Sequence, residues 1–321
     1  MSRPLLTIGL PVYNDVRHLP GLLSCLLAQS FTDWELLVVD DGSTDDSLEL
    51  FSAVADPRIR LLCDGRHLGL AARLNQIAGA ARGRLVARMD ANDLIHPSRF
   101  GKQVEQLSLH PELDGVGCSL LVIDERMQLC GMRILPTGHE RICAAALQGI
   151  RLAHATFMTR REWLLQHPYN EANHCCEDAE LWWGSYAGSR FANLPDPLYV
   201  YREFESYSLA KYLRAKLAIA RLQWKQRRTF GVARTAGACA MQGVRMAVNI
   251  AVCALGRWRW LVQRRSTPAD ARAESLWLET LACSQAGTRV VPAMAPRAAA
   301  GLRGVPVVAD AAALALSGDG D

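Results

Sequence analysis

The chain has 321 residues, 50% of them hydrophobic and 21% charged, a globular composition that excludes wholesale disorder and fibrous repeats. Its 36 Lys and Arg against 32 Asp and Glu leave +4, too small a surplus to argue for a nucleic-acid partner. Ten cysteines are scattered without a C-x-x-C pair, and Cys175 and Cys176 are adjacent, so they read as thiols of a reducing compartment rather than bridges or zinc ligands.

In chain order, residues 5–10 form an apolar run too short for the core of a signal peptide, and Pro11-Val12-Tyr13-Asn14 follows at once. The run reads as a buried strand, and the chain is expected to stay in the cytoplasm. Leu19, Leu22, Leu23, Leu26 and Leu27 have helical spacing. Residues 35–40 read as a strand buried on both faces, 47–55 as a short helix and 59–63 as a strand. A helix is predicted over 70–81 with Gly83 as its stop, then a strand over 85–90, a helix over 97–109 and a strand over 115–123. This alternation predicts an α/β fold with a mostly parallel central sheet flanked by helices, whose ligands lie outside the carboxyl ends of the strands. Two strands, 36–40 and 85–90, end in clustered acids at that edge.

The segment 132–202 is less regular and carries His154 and the pair Glu177-Asp178. A basic helical stretch over 211–234 is followed by the semi-apolar 241–260. That region reads either as a peripheral contact with an anionic membrane surface or as helices packed on the body. Residues 232–255 are interrupted by Arg234, Gln242, Arg245 and Asn249 and are predicted not to span a membrane. Beyond about 265 the sequence is rich in Ala, Gly, Pro and Arg with weak periodicity, and both disorder and a packed unit stay open.

The acids have structural readings of their own. Asp40-Asp41-Gly42-Ser43-Thr44 fits a strand–turn–helix junction, yet its carboxylates would repel a pyrophosphate and suit the N–H of a base or ribose hydroxyls. Asp90, Asn92 and Asp93 offer hard oxygens suited to Mg2+ or Mn2+, or a helix start. Glu177-Asp178 fits the first turn of a helix, or a general base opposite a hydroxyl nucleophile.

Together, Thr7 through Asn14, Gln29 through Asp45, Leu68 through Ala71, Met89 through Asp93, His96 through Phe100, His154, Arg160-Arg161, Glu177-Asp178 and Tyr201-Arg202 resemble the family 2 glycosyltransferases. The likeness keeps family order over about 5–205. It implies a GT-A fold over 1–205, with a nucleotide-binding half to about 125 and an acceptor half from 126. A helical extension over 206–265 and a tail over 266–321 would follow. By the same resemblance, Pro11, Tyr13 and Asn14 line the nucleotide pocket, and Asp41, with Asp40 beside it, accepts from the uracil N–H. Asp90, Asn92 and Asp93 stand at the D-x-D site, where Mg2+ or Mn2+ bridges the diphosphate. Asp178 is then the base with Glu177 in support, and His154 lies near the sugar and acceptor or is simply structural.

The implied reaction is inverting transfer from a nucleotide-diphospho-sugar, UDP-linked, to a hydroxyl of a glycan or lipid-linked acceptor in polysaccharide or cell-surface glycan synthesis. Two departures stand against the pattern. Asn92 replaces an acid and should weaken metal binding, and Phe204 stands where many members carry histidine. They leave a nucleotide-sugar-binding scaffold with little or no catalysis as the competing reading. A nicotinamide-dependent enzyme is opposed by the missing glycine fingerprint after the first strand.

Overall fold

The computed structural model describes residues 3–286. β1 (Leu6–Val12), α1 (Leu19–Leu27), β2 (Trp34–Asp40), α2 (Ser47–Ser52), β3 (Ile59–Cys63), α3 (Leu70–Ala80) and β4 (Leu85–Arg88) alternate as expected. These four strands lie parallel in the order β3-β2-β1-β4. Every residue of β2 is buried, which is why it reads as a continuous apolar run. At Gly9 of β1 an added Cβ would sit 2.4 Å from the Ile77 side chain, so the missing side chain lets α3 close on the sheet. Gly83 does not cap α3, which ends at Ala80; it passes so close to β1 that a Cβ would meet the Thr7 nitrogen at 2.5 Å.

The second half is built differently. β5 (Leu94–Ile95), α4 (Arg99–Leu109), β6 (Gly115–Ile123), β7 (Leu129–Arg133), α5 (His139–Cys143), β8 (Met158–Arg160), α6 (Arg161–Gln166), α7 (Glu177–Ser185), β9 (Phe191–Tyr201) and α8 (Glu203–Ser206) complete the sheet and its cover. The sheet continues β4-β8-β6-β9-β5, with β7 paired to β6. β8 runs antiparallel to both β4 and β6, and β5 and β7 are also reversed. The parallel order expected from the sequence therefore holds through β4, and the remainder is mixed. The cause is local: three-residue β8 lies within the irregular segment and turns back between two longer strands.

α9 (Leu209–Lys225), α10 (Arg227–Phe230), α11 (Val232–Ala254), α12 (Trp258–Gln263) and α13 (Ala271–Ala286) follow. α11 inverts the usual pattern of a packed helix. It buries Thr235, Gln242 and Asn249, each seven residues from the last, while Val232, Met241, Val244, Val248 and Ile250 are exposed. Gln242 donates to Gln223 of α9, which donates on to the Leu147 carbonyl. The helix is 23 residues long and contains an 18-residue stretch of mean hydropathy 1.3, so it is long and apolar enough, by length and composition alone, to cross a membrane. Of the four residues that interrupt this segment in the sequence, Gln242 and Asn249 turn inward, while Arg234 and Arg245 stay exposed among the aliphatic side chains of the outer face.

α13 lies in the stretch read as a poorly specified tail, yet it packs on α1 and on β5, β7 and β9, burying Ala273, Trp277, Thr280 and Ser284. Its start is tied down as well: Met132 and Thr267 exchange backbone hydrogen bonds of 2.9 Å. The buried stripe has helical spacing but only one large apolar residue, so hydrophobic periodicity does not reveal it. Residues 287–321, the rest of that tail, lie outside the described residues.

Candidate active site

Because β1, β2 and β4 are parallel, their carboxyl ends open on one edge, where two adjoining cavities lie. The smaller, about 260 Å3, is lined by Pro11, Tyr13, Asp41, Arg73, Arg88 and Asp90, among others. The larger, about 740 Å3, is lined by Arg88, Asp90, His154, Glu177, Asp178 and Tyr199, together with Lys211 and Arg214 of α9. Arg88 and Asp90 border both. Carboxylates far apart in the chain, Asp41, Asp90 and Asp178, thereby line two neighbouring cavities, with Asp90 common to both.

In the smaller cavity the Tyr13 ring is half exposed and lies 4.4 Å from the ring of His67. Beneath it, Asp41 accepts from the backbone N–H groups of Leu68 (2.8 Å) and Gly69 (3.1 Å) and from Nε of Arg73 (2.8 Å). Gly69 has φ +89°, and this turn aims its N–H at the carboxylate. Arg73 is buried and also pairs with Asp64, whose carboxyl that hydrogen bond holds down to about 2. Asp40 and Asn14 do not line either cavity. Asp40 is buried and accepts from the N–H groups of Gly42 (3.0 Å) and Ser43 (3.1 Å). Asn14, expected at the nucleotide, instead accepts through Oδ1 from the N–H groups of Thr44 (2.7 Å) and Asp45 (3.2 Å). Asn14 fastens the loop after β2 to the end of β1, while Asp40 closes the turn of its own loop, local demands that compete with ligand contact.

The expected metal ligands do not gather. Asp90 pairs with Arg88 at 2.7 Å. Asp93 is fully buried and accepts from the Tyr199 hydroxyl (2.8 Å) and the Arg202 N–H (3.0 Å). Burial, with the Asp90 charge adding, pushes the Asp93 carboxyl up to about 8. Asn92 borders neither cavity. Among the described residues there is no cluster of three His, Cys, Asp or Glu able to hold a metal ion. The donor set present, one carboxylate already paired with a guanidinium, does not fit the Mg2+ or Mn2+ site expected from the D-x-D likeness. Asp93 stands here as a buried acceptor that joins β9 to the loop after β4.

At the far wall, Cys176 adopts φ +64° and turns the chain into α7, placing Glu177 and Asp178 in its first turn. Burial raises the Asp178 carboxyl above its ordinary range, and Asp90 adds to this, while the Ala179 N–H and Arg88 pull it back. Glu177 is raised by burial and by the charge of Asp178. His154, in a 3-10 turn, bonds through Nε2 to the Tyr169 hydroxyl at 2.7 Å, and its Nδ1 lies 3.9 Å from Glu177. Burial and then the Arg88 charge hold it far below its usual value, so the ring is a neutral, fixed part of the wall. Phe204 is absent from the cavity; it packs against Trp258 under the guanidinium of Arg259. Arg88, Arg73 and Tyr199 were not singled out as site residues by the sequence. For Arg88 the signal was present, since it opens the Arg88–Asp93 motif.

The model for glycosyl transferase family 2 matches residues 7–166. EpsE of Bacillus subtilis, named as a glycosyltransferase, is 34% identical over 209 residues, covering 63% of this chain and 74% of EpsE. The chain belongs to glycosyl transferase family 2. The succinoglycan biosynthesis protein ExoO of Rhizobium meliloti is similar over a shorter stretch, 35% over 103 residues, or 32% of this family 2 chain and 30% of ExoO. Among solved structures, residues 1–349 of S. aureus TarS in complex with UDP-GlcNAc align with TM-score 0.56 at 17% identity. That alignment covers 89% of this chain and 81% of the other and supports the GT-A fold.

Proposed function

We propose that this chain is an inverting glycosyltransferase of polysaccharide or cell-surface glycan synthesis, moving a sugar from a nucleoside-diphosphate sugar to a hydroxyl of a glycan or lipid-linked acceptor. One observation carries the reading: Asp90 and Arg88 form the wall shared by the cavity of Tyr13 and Asp41 and the cavity of Asp178. A nucleoside seated in the first cavity would place its diphosphate at that wall and its sugar in the second, within reach of the carboxylates on α7. Asp178 takes the proton from the acceptor hydroxyl as that oxygen attacks the anomeric carbon and the nucleoside diphosphate leaves from the opposite face. A carboxyl raised by burial is a stronger base than an exposed aspartate. UDP is the donor nucleotide we favour, on the UDP-GlcNAc complex of the TarS neighbour and the uracil position of the family pattern.

The apolar outer face of α11, flanked by exposed Arg221, Arg228, Arg234, Arg245 and Arg257, supports a peripheral contact with the inner, cytoplasmic face of an anionic membrane. Lys211 and Arg214 of α9 line the larger cavity, so the same hairpin would bring the active cavity to the membrane surface.

The test incubates purified protein with UDP-, GDP- and dTDP-sugars, each with Mn2+ or with EDTA, and detects released nucleotide. Release from a UDP-sugar that increases with an added acceptor supports the reading. Tight nucleotide binding with no release across the panel selects the scaffold instead, which the replacement of an acid by Asn92 favours.

A further inference from the structure

We propose that Arg88 is the cation that receives the donor's diphosphate, at the seam of the two cavities and in place of a divalent ion. The proposal rests on the nucleotide-sugar reading above and adds the residue that meets the charge. Arg88 leaves the end of β4 and lines both cavities. Its side chain is 11% exposed, so its charge acts where water screens poorly. A guanidinium presents five donors, and here one Nη donor is paired with Asp90 while Nε is buried with no hydrogen-bond partner. Nε is closed off even to water, so an anion in the cavities would meet the remaining Nη donors of a side chain that lines both. The planar fork suits a diphosphate better than a point charge does.

The ligand set described above strengthens the argument. Asp93 faces the core, Asn92 is neutral, and Asp90 is held by the guanidinium, so the family's usual source of positive charge is depleted here. Arg88 also faces Glu177, Asp178 and His154 across the larger cavity. As the leaving group gains charge, Arg88 is the cation that borders both cavities, whereas Arg73 lines only the smaller and Arg133, Lys211 and Arg214 only the larger.

Calorimetry with UDP, GDP and dTDP and the matching nucleosides, in EDTA and in Mn2+, tests the idea on the full chain. Wild-type protein in EDTA should bind one diphosphate more tightly than its nucleoside. Arg88→Gln should weaken the diphosphate roughly 10- to 100-fold and leave the nucleoside unchanged, with Arg88→Lys recovering part of the loss. Asp90→Asn separates the alternatives while keeping the Arg88 side chain, removing only its carboxylate partner. Freed from its carboxylate, Arg88 should hold the diphosphate in EDTA as tightly as in the wild type or more so. If EDTA and Asp90→Asn each abolish the preference for diphosphate, the charge comes from a metal on Asp90 and the proposal is overturned. If Arg88→Gln loses the nucleoside as well, its fold is disturbed and the Asp90→Asn result decides alone. Wild-type protein that binds no nucleotide in either buffer overturns the donor reading itself, a pattern distinct from failure of Arg88.

Discussion

Asp178 is a carboxylate at the floor of a deep cavity, and burial makes its ionised form harder to reach. A base works only when ionised, so turnover should fall as the pH drops through its raised value. The acid limb of kcat is therefore expected above the ~3.9 of a free aspartate, and Asp178→Asn should lower kcat at least about a hundredfold while sparing donor affinity. A limb at the ordinary aspartate value, or unchanged turnover in the variant, would remove Asp178 from the base position. At this scale the sequence was legible where a motif residue stands at a strand end, as with Pro11, Tyr13, Asp41 and Asp90, all of which line the smaller cavity. It was less decisive where a polar side chain has two uses. Asn14, Asp40 and Asp93 sit in the same motifs, yet each satisfies backbone N–H groups of its own loop or a neighbouring strand. A one-dimensional pattern cannot separate a carboxylate that meets a ligand from one that meets an N–H, because both need an acceptor at the same turn.

Among elements, the parallel strands were legible because burial on both faces leaves a continuous apolar run, whereas β8 and α13 left no comparable trace. α13 buries a stripe of Ala273, Trp277, Thr280 and Ser284, with Thr280 and Ser284 beside α1 and Trp277 beside β7. Two side-chain contacts reinforce the docking, His96 with Glu279 at 3.0 Å and the Cys25 thiol toward the Thr280 carbonyl. Trp277 is 6% exposed, so Trp277→Ala should cost about 3–5 kcal/mol, the usual range for removing a buried large aromatic. Urea unfolding followed at equilibrium measures this. A loss under about 1 kcal/mol, the scale of a surface change, would mean that α13 rests on the body without contributing to its stability.

For the whole molecule, the unresolved tension is a helix that hides amides and shows aliphatics. α11 turns Gln242 inward, where its amide N–H donates to Gln223 of α9 and its Oε1 is buried without a partner, an arrangement that would be costly if the outer face simply met water. An anionic bilayer resolves the tension, since the exposed Val244 and Val248 would enter the acyl boundary while the flanking arginines meet lipid phosphates. The full chain should then float with vesicles containing phosphatidylglycerol, less so as salt screens the arginines. Val244→Glu with Val248→Glu should weaken partitioning roughly tenfold or more, because two side chains worth about 1.5–3 kcal/mol each on burial are replaced by charges. Both positions are solvent-exposed, so the fold and nucleotide binding should survive the change. Equal flotation of the double variant would assign the apolar face to something other than lipid, and gel filtration would then ask whether a second copy covers it. The outcome bears on the reaction itself, because α9 connects the two regions. The helix that shelters the buried amides of α11 also sends Lys211 and Arg214 to the cavity that holds Asp178, so an acceptor anchored in the membrane would reach the base along a basic wall.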